Sequence, residues 1–277
     1  MITYLIIEVI FLLKARDVLL YFSLKYIGDW DKIYSAIKNK EKFDENEYIL
    51  LKSEVKSNYI TMLDEEYPES LKNIHKPPFV IYYYGDINLL KNDKLITIVG
   101  SRDYSEYGEY CCVSITKELV TKGYVVVSGL ARGIDVIAHN VALENEGKTI
   151  AILGSGIDYC YPKQNSKTYE QIKEKGLLMS EYPNNFTAIK ENFPKRNRIL
   201  AGLSPNLFAP EFKINSGTSI TISLALSYGK NIFCPPHPIS SMTGNNILIK
   251  EGAMLVETAN DIIFEIEGKN MSNQEKS

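Results

Sequence analysis

Cysteine and histidine are scarce in this chain: four Cys and three His among 277 residues, with no CxxC pair. That excludes a zinc site and a disulfide framework, and it fits a reducing cytoplasm. Long apolar runs are also missing. Met1 to Leu13 is too short to span a bilayer and contains Glu8. No basic stretch precedes it, as a secretory signal would require. It reads as the start of a packed helix, so no membrane association is expected. There is no excess of positive charge either: 31 basic against 34 acidic residues leave a net charge of −3. The chain is therefore no general polyanion binder, although a local patch is a separate question. A dinucleotide fingerprint is absent, because Gly100 is not followed by GxGxxG spacing. Ser155 lies in a GSG turn without the GxSxG elbow of a nucleophile. Internal repeats are absent, and no cofactor or metal is expected.

What is present suits a globular protein: 45% hydrophobic and 23% charged residues. The length allows one domain of about 200 residues and a smaller one of about 80. Residues 1–65 show helical spacing of large apolar residues, with helices expected over Ile2 to Leu24 and Trp30 to Ile37, joined near Gly28-Asp29. Residues 66–94 read as a connector, punctuated by Pro68, Pro77 and Pro78, with a β-rich run from Phe79 to Tyr84. From residue 95 to 267, short β-branched runs alternate with amphipathic stretches. The runs start at Leu95, Val125, Thr149, Leu177, Asn206, Ile232 and Met254. Continuous apolar strands, each followed by a helix, predict an α/β fold: a doubly wound, mostly parallel sheet covered on both faces. Its ligands belong at the carboxyl ends of the strands. Residues 268–277 are polar and predicted to fray.

The loops at those strand ends carry the informative residues. Gly100-Ser101-Arg102 follows the first strand, with Tyr107-Gly108 opening the next helix, whose free N–H groups suit an anion. Arg102 adds a planar fork suited to phosphate, and reads equally as a surface arginine on a tight turn. In the helix after the second strand, Asp135 and His139 stand four residues apart, which predicts a local hydrogen bond locking the helix start. The segment from Lys190 to Arg198 is the strongest signal. It holds four basic residues and one acid in nine positions, with Phe193 among Lys195, Arg196, Asn197 and Arg198. Cations along a backbone and rings stacked on bases are how single-stranded nucleic acid is held; a solvated basic loop is the bland alternative. Further on, Lys213 precedes Ser216-Gly217-Thr218, where Ser216 or Thr218 caps a helix that offers another anion position. These groups are expected to converge on one sheet edge.

The strings IVGSR (98–102), VVSGLARGID (126–135), KTIAILGSGID (148–158), SEYP (180–183), FPKRNRILAGL (193–203) and SGTSIT (216–221) resemble DNA-processing protein A, the DprA or Smf family. The resemblance runs from about Tyr67 to Ile263. It implies a Rossmann-like domain that binds single-stranded DNA, forms a homodimer, and helps load the recombinase RecA during natural transformation, without enzymatic activity. By motif it implies DNA contacts at Arg102, Lys190, Phe193, Arg196, Asn197, Arg198 and Lys213; the loop reading adds Gly100, Ser101, Lys195, Ser216 and Gly217 to the expected DNA-binding set. It also implies a sterile-alpha-motif-like helical domain at the N-terminus. The winged-helix-like C-terminal domain of many members is not expected here. Two departures stand out: Pro235-Pro236 where members commonly have Pro-Gly, and Phe208-Ala-Pro-Glu211 where a Val-Glu-Ala run is frequent. Ile247 to Ile249 and Ile262 to Ile266 are dimer-interface candidates if exposed. The rival reading is a nucleoside-monophosphate phosphoribohydrolase of the lonely-guy type. That class needs PGGxGTxxE, and Thr221 stands where its Glu belongs.

Overall fold

The computed structural model describes the backbone of residues 2–274 and the side chains of residues 14–268. Three helices come first: α1 (Ile2–Lys25), α2 (Trp30–Lys38) and α3 (Glu45–Ser53). Aspartates start the second and third. The Asp29 carboxylate accepts from the Lys32 N–H, and Asp44 accepts from the N–H groups of Asn46 and Glu47. An edge strand β1 (Asn58–Thr61), a single turn α4 (Glu69–Lys72) and β2 (Val80–Gly85) follow. The chain then alternates: β3 (Leu95–Ile98), α5 (Glu106–Thr121), β4 (Val125–Ser128), α6 (Ile134–Glu144), β5 (Thr149–Gly156), α7 (Ser166–Lys175) and β6 (Leu177–Tyr182). It continues through α8 (Asn192–Leu203), β7 (Asn206–Phe208), α9 (Gly217–Ser227), β8 (Asn231–Cys234), α10 (Asn245–Lys250), β9 (Met254–Leu255) and α11 (Ala259–Gln274).

The sheet runs β1-β2-β6-β5-β4-β3-β7-β8-β9. Pairing is antiparallel only where β2 meets β1 and β6; from β6 to β9 the strands are parallel. The fold is thus the Rossmann-like, doubly wound, mostly parallel sheet anticipated above. Successive strands step one way from β3 to β6, after which the chain returns past β3 to build β7, β8 and β9. The order therefore reverses between β3 and β7, paired through Thr97 with Leu207 and Ile98 with Phe208. A reversal of this kind opens a crevice at the carboxyl ends of the two strands.

Alternate side chains of each strand point to opposite faces, and here both faces are dry. Val125, Val127, Ile152 and Leu207 pack with Ile199, Leu200 and Leu203 of α8 and Ile222 of α9. Val126, Ile96, Ile98 and Phe208 pack on the other side with Ile115 and Leu119 of α5, Ala138 of α6 and Ile262 of α11. That explains why the strands read as unbroken apolar runs.

Four points differ from the sequence reading or refine it. Residues 1–65 are not wholly helical, since β1 lies within them and pairs with β2. Four residues of Asn-Tyr-Ile-Thr give too short a pattern to stand out. The N-terminal helices share one core with the sheet: Leu20, Tyr21 and Phe22 cluster with Val80, Tyr82, Leu153 and Leu178. Of the proposed interface residues, Ile262 and Ile266 are core, whereas Ile247 and Phe264 are exposed. Where fraying is expected from Gly268, the backbone of α11 is helical to Gln274, and residues 275–277 lie outside those described. Among the described residues, no helix is long and apolar enough to cross a membrane.

Candidate nucleic-acid interface

The turn after β3 is held from three directions. The Gly100 carbonyl accepts from Thr218 Oγ1 at 2.8 Å, which ties it to the start of α9. The Ser101 N–H donates to the Glu211 carbonyl at 2.8 Å, and the Ser101 carbonyl accepts from the Ile134 N–H at 3.1 Å. Gly133, at φ +87°, lies against the same turn, where a Cβ would sit 2.3 Å from the Ser101 carbonyl oxygen. Only glycine meets both demands. Arg102 therefore projects from a rigid base and is exposed.

The start of α5 is not free for an anion. Ser105 caps it by accepting from the Gly108 N–H at 3.1 Å. The buried Glu211 carboxylate accepts from the Ser105 N–H at 3.1 Å and from the Ser105 hydroxyl. Gly108 is needed because a Cβ there would lie 2.3 Å from Glu211 Oε2. A carboxylate from the β7–α9 loop thus occupies the anion position expected beside Tyr107-Gly108. That acid is the last residue of the Phe208-Ala-Pro-Glu211 segment. The start of α9 is different: Ser216 accepts from the Ser219 N–H at 3.2 Å in a reciprocal capping box, and space is open above Gly217. Thr218 does not cap, because its hydroxyl is committed to Gly100.

The basic segment is helical, not a loop, since α8 begins at Asn192. Two residues apart on a helix, Arg196 and Arg198 face different ways, and both are buried, at 4% and 6% exposure. Arg196 Nη1 donates to the carbonyls of Gly129, at 2.8 Å, and Ile152. A Cβ on Gly129 would lie 2.5 Å from that nitrogen. Burial lowers the Arg196 pKa to about 10 and raises that of nearby Asp135. Arg198 donates to Glu181 Oε1 at 2.6 Å and to the carbonyls of Lys76 and Lys195, each at 2.8 Å. It joins α8 to β6 and to the segment before β2. Asn197 Nδ2 donates to the Gly217 carbonyl at 3.2 Å.

The predicted Asp135–His139 bond does not form. His139 Nδ1 instead pairs with Thr149 Oγ1 of β5 at 2.6 Å, wholly buried. Burial, with Arg196 nearby, pushes its pKa down to about 3, so the ring is neutral and structural.

These elements surround a cavity of about 810 Å³ at the β3–β7 reversal. Gly100, Ser101 and Arg102 line one side; Lys213, Ser216 and Gly217 line the side after β7. Lys190, Phe193, Arg196 and Asn197 come from α8 and the segment before it. Arg102, Lys190 and Lys213 are exposed. Among the described residues, none of the three forms an ion pair. Phe193 is half-buried, and Tyr161 stands beside it with ring centroids 5.6 Å apart. Tyr161 was not among the predicted contacts. It stands in a Tyr-Pro pair, and its meeting with Phe193 depends on how α8 lies over β5. Lys195 and Arg198 do not join this cavity; they line a second one across the first turn of α8. Among the described residues, no group of His, Cys, Asp or Glu is arranged to hold a metal ion.

Comparison with known proteins gives matches over most of the chain. A family model described as DNA recombination-mediator protein A matches residues 58–267. The DNA processing protein DprA of Streptococcus pneumoniae is 40% identical over 209 residues, covering 75% of this chain and 73% of that protein. The X-ray structure of DNA processing protein A from Streptococcus pneumoniae superposes with a TM-score of 0.75 at 32% identity, covering 92% of this chain and 96% of that one. A structure of DNA processing protein A from Helicobacter pylori, concerned with its single-stranded DNA binding mode, gives 0.70 at 31% identity, covering 77% and 98%.

Proposed function

The chain belongs to the DNA recombination-mediator protein A family, and from that premise we propose that it binds single-stranded DNA in the cavity at the β3–β7 reversal. One observation carries the reading: exposed cations from three separate loops, Arg102, Lys190 and Lys213, ring a cavity that also presents the half-buried Phe193. The cations take backbone phosphates, and the open N-terminus of α9 at Ser216-Gly217 takes another. A base stacks on Phe193 without regard to its identity. The buried Arg196 and Asn197 act from the floor, their side chains fixed by Gly129, Ile152 and Gly217. A duplex cannot offer an unstacked base to this ring, so single strands are preferred.

Three or so phosphate contacts give only moderate affinity. Pairing into a homodimer raises avidity without new contacts, and cooperative binding follows. In this reading the bound strand is presented to RecA, as the resemblance implies, and no reaction is catalysed. The binding reading is favoured over a phosphoribohydrolase because the position of that enzyme's Glu holds the buried Thr221.

The test is fluorescence anisotropy of labelled oligothymidine and of duplex of equal length, with wild type and Arg102→Ala. Strong single-strand binding, weak duplex binding and a clear loss in the variant are expected. A wild type that ignores the single strand would sink the proposal.

A further inference from the structure

A second cavity, of about 530 Å³, lies where α1 and α2 meet the sheet domain. The first turn of α8 separates it from the strand cavity, and Pro194 lines both. Its walls combine aromatic rings, Trp30, Tyr182, Phe186 and Tyr228, with charged groups that include Asp31, Lys76 and Glu181. Trp30 is fixed in place: its ring stacks with Tyr34 and Phe79 at 5.0 and 5.2 Å, and Nε1 donates to the Pro77 carbonyl at 2.8 Å. Asn192 also lines the cavity. It is 2% exposed, and its Nδ2 has no hydrogen-bond partner. A buried amide donor left without an acceptor is uncommon and costly, because its lost hydration is not replaced. The amide torsion of Asn is broad, so a small rotation offers that N–H to an acceptor in the cavity. Lys195, the residue after Pro194, lies at the rim and is exposed.

We propose that this cavity is a second nucleobase subsite for the same strand, an inference that rests on the single-strand reading of the first. The strand leaves the Phe193 side, passes over Pro194, and places its next accessible base between the aromatic walls. The Asn192 amide donates to an acceptor on the base edge, as Asn does in base recognition. Lys195 takes the phosphate that links the two bases. Lys195 is not part of the strand cavity; its charge lies on the side of this one, within electrostatic reach of Asp31 and Glu181. A nucleobase combines what the walls require: a flat apolar face and edge acceptors. Continuity through Pro194 makes the occupant part of the bound strand.

Trp30 is the single tryptophan of the chain and lines the cavity, so its emission reports occupancy directly. Full-length protein is titrated with oligothymidines of increasing length and with free thymidine and adenosine. Trp30 emission and anisotropy are read in parallel. Oligomers long enough to pass Pro194 are expected to change the Trp30 emission. In Asn192→Leu and in Lys195→Ala that change is lost or weakened, with about a tenfold loss of affinity for long oligomers, the scale of one base contact. Binding of the shortest oligomers is retained in both variants. Lys195→Ala is a surface change and keeps the test meaningful if Asn192→Leu folds poorly. If anisotropy reports binding that Arg102→Ala abolishes while Trp30 stays silent at saturation, this inference falls and the strand cavity stands. If free nucleosides alter Trp30 in an Asn192-dependent way while no oligomer binds, the cavity takes a base but not a strand, and both this inference and the strand reading fall. Silence to every ligand overturns both.

Discussion

Phe193 packs so closely on Gly154 that a Cβ built on that glycine would lie 2.8 Å from the ring's Cδ1. Gly154, near the carboxyl end of β5, therefore sets the height of the aromatic ring at the cavity. Gly154→Ala is expected to fold, displace the ring, and weaken single-strand binding much as Phe193→Ala does. The loss corresponds to about 1–3 kcal/mol, one base–aromatic stack. Anisotropy titration of both variants checks this; an unchanged Kd in Gly154→Ala with weakened Phe193→Ala would show that the ring's position is not critical.

Arg102, Lys190 and Lys213 act additively as phosphate contacts in the proposed complex. Each alanine variant is expected to lower the slope of log K against log salt by about 0.7, the single-strand value for one phosphate. Affinity series between low and physiological salt measure that slope. Because the three side chains are exposed, thermal midpoints of the variants should match the wild type.

Arg196 should behave in the opposite way. Replacement by Met leaves the Gly129 and Ile152 carbonyls without their donor in a dry environment. A stability loss of about 2–5 kcal/mol is expected. Urea unfolding measures it, and binding is interpretable only below the new midpoint.

Glu211 stabilises the start of α5 from a distant loop. Glu211→Ala removes both the acceptor and a negative charge from the helix N-terminus. It should cost about 1–2 kcal/mol, the scale of a lost cap. Chemical denaturation checks the cost, and amide exchange should locate it at Ser105 to Gly108.

His139 makes stability depend on pH. Its folded pKa is pushed down to about 3 by burial, whereas the unfolded chain protonates near about 6.5. The contribution is complete above the unfolded value and is lost as pH falls toward 3, by up to about 1.4 kcal/mol per pH unit. His139→Asn, which keeps a polar partner for Thr149, should flatten this dependence. Urea midpoints between pH 7.5 and 4 compare the two.

Much of the architecture was legible in the chain itself. Apolar runs such as Val125 to Ser128 are dry on both faces, so local sequence already declares a parallel strand covered by helices. Glycine turns at strand ends marked the right edge of the sheet, and Arg102, Lys190, Phe193 and Lys213 do meet there. Strand order was not legible. That Gly100 and Gly217 flank one crevice follows from β7 pairing with β3, a contact between residues more than a hundred positions apart.

The sequence by itself therefore determined the layered fold, the family and the loops that bear the site, because these depend on patterns local to each segment. Only the tertiary structure decided which charges are available. Arg196 and Arg198 look identical to Arg102 in a string of letters, yet helical geometry turns both inward, onto Gly129 and Ile152 or onto Glu181. The same holds for Glu211, which fills the anion position at α5, and for Lys195, which faces a different cavity. Direction and burial depend on what packs against each residue, and that is set by distant parts of the chain.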